Sequence, residues 1–120
     1  MSLGTRLPAL TVLALLVAGS GPAWAHAHLQ AATPAPDSTV RGAPAKVTIA
    51  LTESIEPQFN HIEVRDAAGQ RVDEGASAAS GNSLSVGLRA LPPGTYQVSW
   101  QVTAVDTHKT SGTFQFIVAS

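Results

Sequence analysis

The sequence contains no cysteine, so disulfide bonds, thiolate metal sites and a lipid anchor attached through cysteine are all excluded. Met1 is the only methionine, and the rest of the chain therefore lacks the soft sulfur ligands that a dedicated Cu(I) site requires. Charged residues make up only 12% of the chain and form no basic run or patch. For this reason we do not expect nucleic acid as a partner.

The first 25 residues have the layout of a secretory signal peptide. Arg6 precedes an apolar run at 7–19, and Ala23 and Ala25 provide the small residues of an A-x-A cleavage site. The apolar run is shorter than the roughly 20 residues that span a bilayer, so a retained membrane anchor is the less favoured alternative. We expect the signal peptide to be removed and the protein to be exported.

The remaining residues, 26–120, are enough for one domain with a modest core. Ala25 and Ala27 flank His26 in a second A-x-A arrangement, so cleavage could also follow Ala27. Either cut leaves a histidine, His26 or His28, at the new amino terminus. The recurrence of histidine at both positions makes it a candidate functional residue.

Alternating apolar residues predict that this domain consists of strands. The predicted strands are 28–33, 46–52, 59–72 (two strands around a turn), 84–88, 95–105 and 111–119. The proline-rich residues 34–45 and the small, polar residues 74–82 are predicted loops. No segment has a convincing helical pattern. Short strands separated by turn signals predict an all-β fold, a small antiparallel Greek-key sandwich or barrel.

His26, as an amino-terminal residue, would offer two nitrogen ligands, its α-amine and its imidazole. An α-amine ordinarily has a pKa of about 7.7–8.0, so a metal ion can displace its proton near neutral pH. Both groups can chelate one ion, and Cu(II) prefers a tetragonal set of nitrogen and oxygen ligands. The alternative is that His26 is a polar residue near the cleavage site without a function.

His28 makes a second binding mode possible. In His26-Ala27-His28, the free amine, two backbone amides and the His28 imidazole could surround Cu(II) or Ni(II) with a square plane of nitrogens. This local mode needs no folded domain, whereas the first mode needs ligands from elsewhere in the chain. The sequence alone leaves both modes open.

Asp106 and His108 are candidates for those distant ligands. They lie one residue apart at the end of the strand predicted at 95–105, and alternate residues of a strand share a face. They also share the parity of the apolar inner face of that strand, so a regular strand would point both side chains inward at the rim of the core. The alternative is a surface turn in which Asp106 bonds to the local backbone.

Glu53 and His61 are weaker candidates. Glu53 ends the strand predicted at 46–52, where a carboxylate could orient a ligand histidine or hold the α-ammonium group; it could equally be an ordinary charge at a strand end. His61 falls on the face opposite to Ile62 and Val64, and we expect it to face solvent.

Three stretches together resemble the CopC family of periplasmic copper-resistance proteins. They are HAHLQAATPAPDSTV from residue 26, IALTESIEP from residue 49 and PPGTYQVSWQVTAVDTHKTSGTFQFIV from residue 92. The resemblance extends over residues 26–118. Its specific feature is the combination of a signal peptide, an immediate histidine and the late segment D-T-H-K-x-S-G.

The resemblance implies a cupredoxin-like or immunoglobulin-like sandwich with one Cu(II) per chain. The implied ligands are His26, through both amine and imidazole in a histidine brace, together with Asp106 and His108. Glu53 is implied as a neighbouring group, and His28 is optional. The implied function is copper resistance or homeostasis, in which a periplasmic protein, expected as a monomer, sequesters copper or delivers it to an inner-membrane copper transporter. Some members carry a methionine-rich Cu(I) segment that this chain lacks.

Two other functions fit parts of the pattern. Histidine braces also occur in copper oxygenases that attack polysaccharides, but the predicted inward positions of Tyr96 and Trp100 leave no broad surface for a polymer. The other alternative is a structural immunoglobulin-like module with incidental histidines. The sequence contains no nucleophile elbow, phosphate-binding loop or HExxH motif, and we expect no enzymatic activity.

Overall fold

Two four-stranded β-sheets pack against each other in the computed structural model, which describes residues 27–120. The strands are β1 Leu29–Thr33, β2 Ser38–Arg41, β3 Lys46–Leu51, β4 His61–Arg65, β5 Asp73–Ser80, β6 Ser83–Leu88, β7 Gly94–Thr103 and β8 Lys109–Ala119. One sheet has the order β1-β3-β6-β5 and the other β2-β8-β7-β4. Residues 27–120 contain no helix, and the predicted all-β sandwich is confirmed.

The expected signal peptide and His26 lie outside the described residues. Within the part of the chain that the structure covers, no helix has the length and hydrophobicity needed to cross a membrane.

Alternating apolar side chains of both sheets form the core between them. The inward residues predicted for β3, β6, β7 and β8 are all buried, namely Val47, Ile49, Leu51, Leu84, Val86, Leu88, Tyr96, Val98, Trp100, Val102, Phe114, Phe116 and Val118. Complete burial of one large aliphatic or aromatic side chain contributes roughly 1.5–3 kcal/mol to stability. The alternation therefore fixes which face of each strand lies against the other sheet.

Tyr96 ties the connection between β6 and β7 to this core. Its hydroxyl donates a hydrogen bond to the carbonyl oxygen of Pro92, and its ring stacks on Phe116 with the ring centroids 5.6 Å apart. Burial raises the pKa of the Tyr96 hydroxyl, so that it remains a protonated donor. A tyrosine that bonds to the backbone a few residues upstream is the tyrosine corner of immunoglobulin-like sandwiches.

Two strands occur where the sequence predicted loops. The predicted loop at 74–82 is wrong because β5 occupies most of it. The sequence of β5, DEGASAAS, is mostly exposed and shows no alternation of apolar residues. It is an edge strand, paired antiparallel to β6. β2 lies within the predicted loop at 34–45 and pairs parallel to β8, whereas the other pairs among the described strands are antiparallel.

The predicted strand pair within 59–72 is only partly present. β4 forms its first half, but the return consists of a single bridge between Arg65 and Arg71, and regular pairing resumes at Asp73. The carboxylate of Asp73, at the start of β5, is buried. It accepts hydrogen bonds from the Arg71 guanidinium at 2.7 and 2.8 Å, from Val64 N at 2.8 Å and from Gly75 N at 2.9 Å.

These bonds decide the charge of Asp73. Burial by itself would raise the pKa of its carboxyl group, but the hydrogen bonds from Arg71 and from the two backbone amides outweigh this effect and hold the pKa below its usual value. The buried carboxylate is therefore ionised, and it joins β4 to β5.

Candidate metal centre

Asp106 and His108 lie together in the turn between β7 and β8. The Oδ1 atom of Asp106 accepts a hydrogen bond from the backbone N–H of His108 at 3.0 Å. Its Oδ2 atom lies 3.2 Å from Nδ1 of His108. The first contact shapes the turn and the second places a carboxylate beside an imidazole, so the structure brings together the two ligands predicted from the D-x-H spacing.

The expectation that both side chains point inward at the rim of the core is wrong. β7 ends at Thr103, and Thr107 has a φ of 76°, in the left-handed region. The strand alternation therefore stops before Asp106, and the side chains of Asp106 and His108 are exposed. The backbone follows the alternative of a surface turn held by an aspartate.

This turn is joined to the segment that follows β3. The backbone N–H of Val105 donates a hydrogen bond to the carbonyl oxygen of Ser54 at 3.1 Å. Next to it, Ala104 and Ile55 form an isolated antiparallel bridge. The residues after β3 are thereby fixed beside the Asp106 turn.

The same segment is also joined to the beginning of the domain. Thr52 N donates a hydrogen bond to the carbonyl oxygen of His28 at 2.8 Å, and His28 N donates one to Oγ1 of Thr52 at 2.9 Å. Ala27, immediately before His28, is completely buried in the core. The residue that follows His26 is therefore packed against the domain, at the end of the sandwich where the Asp106 turn lies.

Glu53 lies between Thr52 and Ser54 and is half-buried. The structure places Glu53 and His28 at the same end of the sandwich as Asp106 and His108, but it does not gather them into one cluster. Among residues 27–120, no three His, Asp or Glu side chains form a group able to hold a metal ion. Within residues 27–120, the predicted ligands therefore come together only as the pair Asp106 and His108.

The Asp106–His108 pair fits a divalent ion that prefers nitrogen and oxygen ligands. Two ligand atoms that are each about 2.0–2.2 Å from one ion and at right angles lie about 3 Å apart, close to the 3.2 Å between Oδ2 and Nδ1. A carboxylate and an imidazole suit Cu(II) or Zn(II) rather than ions that select thiolate or thioether sulfur.

His61 does not belong to this centre. It is exposed, as predicted, and its Nε2 lies 2.9 Å from Oε1 of Glu63 on the same strand. The hydrogen bond from Arg65, followed by that from His61, lowers the pKa of the Glu63 carboxyl group. His61 is therefore part of a surface charge cluster on β4.

A groove of about 260 Å³ lies beside the Asp106 turn and shares Thr107 with it. It is lined by Glu56, Pro57, Gln58, Phe59, Thr103 and Thr107. Phe59 is 75% exposed and has a φ of 65°, which is rare for a bulky residue. The candidate centre is thus flanked by an exposed aromatic residue with an unfavourable backbone conformation.

Thr52 is the residue that sequence analysis did not single out. Its contact with His28 joins positions 24 residues apart, and neither residue belongs to a local motif that predicts the contact. The one available signal is that Thr52 ends the strand predicted at 46–52 and directly precedes Glu53, a candidate partner of the α-ammonium group.

The structure is a β-sandwich with a carboxylate and an imidazole, those of Asp106 and His108, side by side at one end. A model of the CopC domain matches residues 29–119. The chain therefore belongs to the CopC family, whose members are copper-binding and copper-resistance proteins.

Individual relatives and solved structures agree with this assignment. The chain is 34% identical over 99 residues to Protein YobA of Escherichia coli K12, covering 79% of this chain and 80% of that protein. It is 30% identical over 99 residues to Copper transport protein CutJ of Bacillus subtilis, covering 79% of this chain but only 18% of that protein.

Two crystal structures have the same fold. The fold is similar to CopC from Methylosinus trichosporium OB3b, with a TM-score of 0.74 and 27% identity over 78% of this chain and 94% of that one. It is also similar to PcoC of Escherichia coli, described as a methionine-rich copper resistance protein, with a TM-score of 0.68 and 29% identity over 78% of this chain and 99% of that one.

Proposed function

We propose that this chain is an exported, periplasmic protein that binds one Cu(II) per chain and acts as a monomer in copper resistance or homeostasis. The observation that carries the proposal is the Asp106–His108 pair, 3.2 Å apart, at the end of the sandwich where the domain begins. Membership of a copper-binding family supports copper as the ion.

The proposed ligands are three nitrogens and one oxygen. His26 provides its α-amine and its imidazole, His108 the third nitrogen and Asp106 the oxygen, which is the kind of tetragonal set that Cu(II) prefers. The burial of Ala27 supports this arrangement because it holds the residue next to His26 against the domain. Glu53 is a neighbouring group that orients the site, and the His28 imidazole is not required.

The proposed oxidation state rests on ligand chemistry. PcoC is described as methionine-rich, whereas this chain has Met1 alone and no cysteine. Amine, imidazole and carboxylate ligands stabilise Cu(II) rather than Cu(I), which favours soft sulfur ligands. We therefore assign the site to Cu(II) only.

The proposed amino terminus is His26, produced by removal of residues 1–25. Cleavage after Ala27 would remove a residue that is completely buried in the core cluster. Cleavage after Ala25 keeps Ala27 in place and leaves His26 with a free amine. The burial of Ala27 thus supports the earlier of the two cleavage sites.

The proposed biological role is to hold copper and to deliver it to an inner-membrane copper transporter. In Bacillus subtilis, the match to this chain covers 18% of a longer protein named a copper transport protein. A domain of this type is therefore joined covalently to a larger transport protein in that organism, which supports such a partner here. This role requires ligand exchange and no catalysis.

The ligand assignment can be tested with two histidine variants of the protein that begins at His26. His108→Gln removes a proposed ligand, while His61→Gln removes an exposed histidine outside the centre. In competition titrations with Cu(II), we expect His108→Gln to lose at least about tenfold in affinity and its EPR spectrum to lose one nitrogen coupling. His61→Gln should match the unmodified protein. Equal affinity of all three proteins would contradict the proposal.

A further inference from the structure

The segment His26-Ala27-His28 offers copper two mutually exclusive sets of ligands. In the brace mode, His26 binds through amine and imidazole, and Asp106 and His108 complete the set. In the local mode, the amine and the His28 imidazole are joined by the backbone nitrogens of Ala27 and His28. Each of these amides must release its proton to solvent before its nitrogen can bind the ion, so an amide held in a hydrogen bond is a poorer ligand.

The His28 amide is held in such a bond. Its N–H donates to Oγ1 of Thr52 at 2.9 Å, and the carbonyl oxygen of the same residue accepts a hydrogen bond from Thr52 N at 2.8 Å. Thr52 therefore binds the His28 backbone from both sides of the residue. The local mode would have to break the bond to the hydroxyl in order to use the His28 nitrogen.

Ala27 opposes the local mode independently. Its side chain is completely buried in the core, whereas the local mode requires the backbone of Ala27 to curve around the ion. The hydrogen bond from Thr52 N to the carbonyl oxygen of His28 anchors the next residue, so both residues are held against the domain. The fold thus anchors the piece of chain that the local mode needs to bend.

We propose that Thr52 is a positioning residue that determines how the amino-terminal segment binds metal. By holding the His28 amide, its hydroxyl disfavours the local mode and leaves the His26 amine and imidazole for the site that contains Asp106 and His108. Because the square plane of nitrogens in the local mode accepts Ni(II) as well as Cu(II), Thr52 also limits binding of Ni(II). This inference rests on the function proposed above.

The test compares Thr52→Val with Thr52→Ser in the protein that begins at His26. Valine keeps the size and branching of threonine but lacks the hydroxyl, whereas serine keeps the hydroxyl. Loss of one neutral hydrogen bond changes an equilibrium roughly two- to tenfold. We therefore expect Thr52→Val to bind Ni(II) roughly two- to tenfold more tightly than Thr52→Ser, which should match the unmodified protein.

The spectrum of bound Cu(II) gives a second readout. We expect Thr52→Val to show a fraction of amide-coordinated copper, with a visible absorption band at shorter wavelength and four-nitrogen coupling in EPR, and Thr52→Ser to show none. Identical Ni(II) affinity and identical Cu(II) spectra in the two variants would overturn the role of Thr52 while leaving the brace intact. If the unmodified protein itself showed the four-nitrogen spectrum, the proposed function would fail first.

Discussion

The indole ring of Trp100 packs directly against Gly112 on the neighbouring strand: a Cβ atom at position 112 would lie 2.8 Å from Trp100 Cζ2. The two residues are register partners in the β7–β8 hairpin, whose turn holds Asp106 and His108. The contact gives a physical reason for the glycine that ends the segment D-T-H-K-x-S-G. The ring needs the space that a side chain would occupy.

Gly112→Ala should therefore destabilise the protein. The ring of Trp100 must shift, and overpacking of this kind lowers the free energy of unfolding by about 1–3 kcal/mol. Chemical denaturation followed by tryptophan fluorescence measures the change. Gly87→Ala is the matched control because the atoms nearest to its added Cβ belong to the exposed, flexible side chain of Glu74. An equal loss of stability in both variants would show that the Trp100 contact is not the cause.

Asp106→Asn tests whether this carboxylate has a role beyond the turn. Asparagine can still accept the hydrogen bond from His108 N, but it removes the negative charge of the proposed ligand. We expect at least about a tenfold loss of Cu(II) affinity, measured by competition titration. Asp66→Asn is the control and should leave the affinity unchanged. The Oδ1 atom of Asp66 accepts hydrogen bonds from Ala68 N and Gln70 N, both at 2.9 Å, in another turn. Unchanged affinity in Asp106→Asn would reduce Asp106 to a structural residue.

The ionised carboxylate of Asp73 leads us to expect that the protein loses stability in acid. Its carboxyl pKa is lower in the folded protein than in the unfolded chain, where it is near 3.9. Its contribution is therefore complete above that value and disappears as the pH falls through the folded-state pKa. At pH 7 we expect Asp73→Asn to lower the free energy of unfolding by about 2 kcal/mol or more.

The difference between Asp73→Asn and the unmodified protein should shrink steadily when the denaturation is repeated at pH values below 4. Glu74→Gln, at an exposed neighbouring carboxylate, should show little difference at any pH. A difference for Asp73→Asn that stayed constant from pH 7 to pH 3 would contradict the charged state assigned to Asp73.

At position 59, we expect glycine to give a more stable protein than alanine. Its side chain is 75% exposed, so little burial is lost, while its φ of 65° is unfavourable for any residue with a Cβ. Phe59→Ala loses the ring but keeps the Cβ. We expect Phe59→Gly to unfold at a higher denaturant concentration than Phe59→Ala, with a difference of about 1 kcal/mol. The reverse order would mean that the left-handed conformation of Phe59 carries no cost.

Much of the fold could be predicted because most core strands bury every second residue. This is why Val47, Ile49 and Leu51 identified β3, and why the sandwich itself was predictable. β5 gave no such signal, since it pairs with β6 through its backbone and most of its side chains after Asp73 are exposed. β2 was not predicted because the prolines around it indicated a loop.

The candidate site was predicted less completely. The D-x-H spacing identified Asp106 and His108. Their orientation depends on where β7 ends and on the left-handed backbone of Thr107. The periodicity of a strand predicts neither of these features. The hydrogen bond between His28 and Thr52 depends on tertiary packing of the first and third strands. No local sequence pattern encodes that contact.

A competition titration with Cu(II) shows whether the free amine of His26 binds copper. Cu(II) is titrated, in competition with a chelator of known affinity, into the protein that begins at His26 and into a form with one extra residue before it. The extra residue converts the amine into an amide while leaving residues 27–120 unchanged. We expect the extended form to lose several orders of magnitude in Cu(II) affinity, whereas equal affinity of the two forms would mean that the amine is not a ligand.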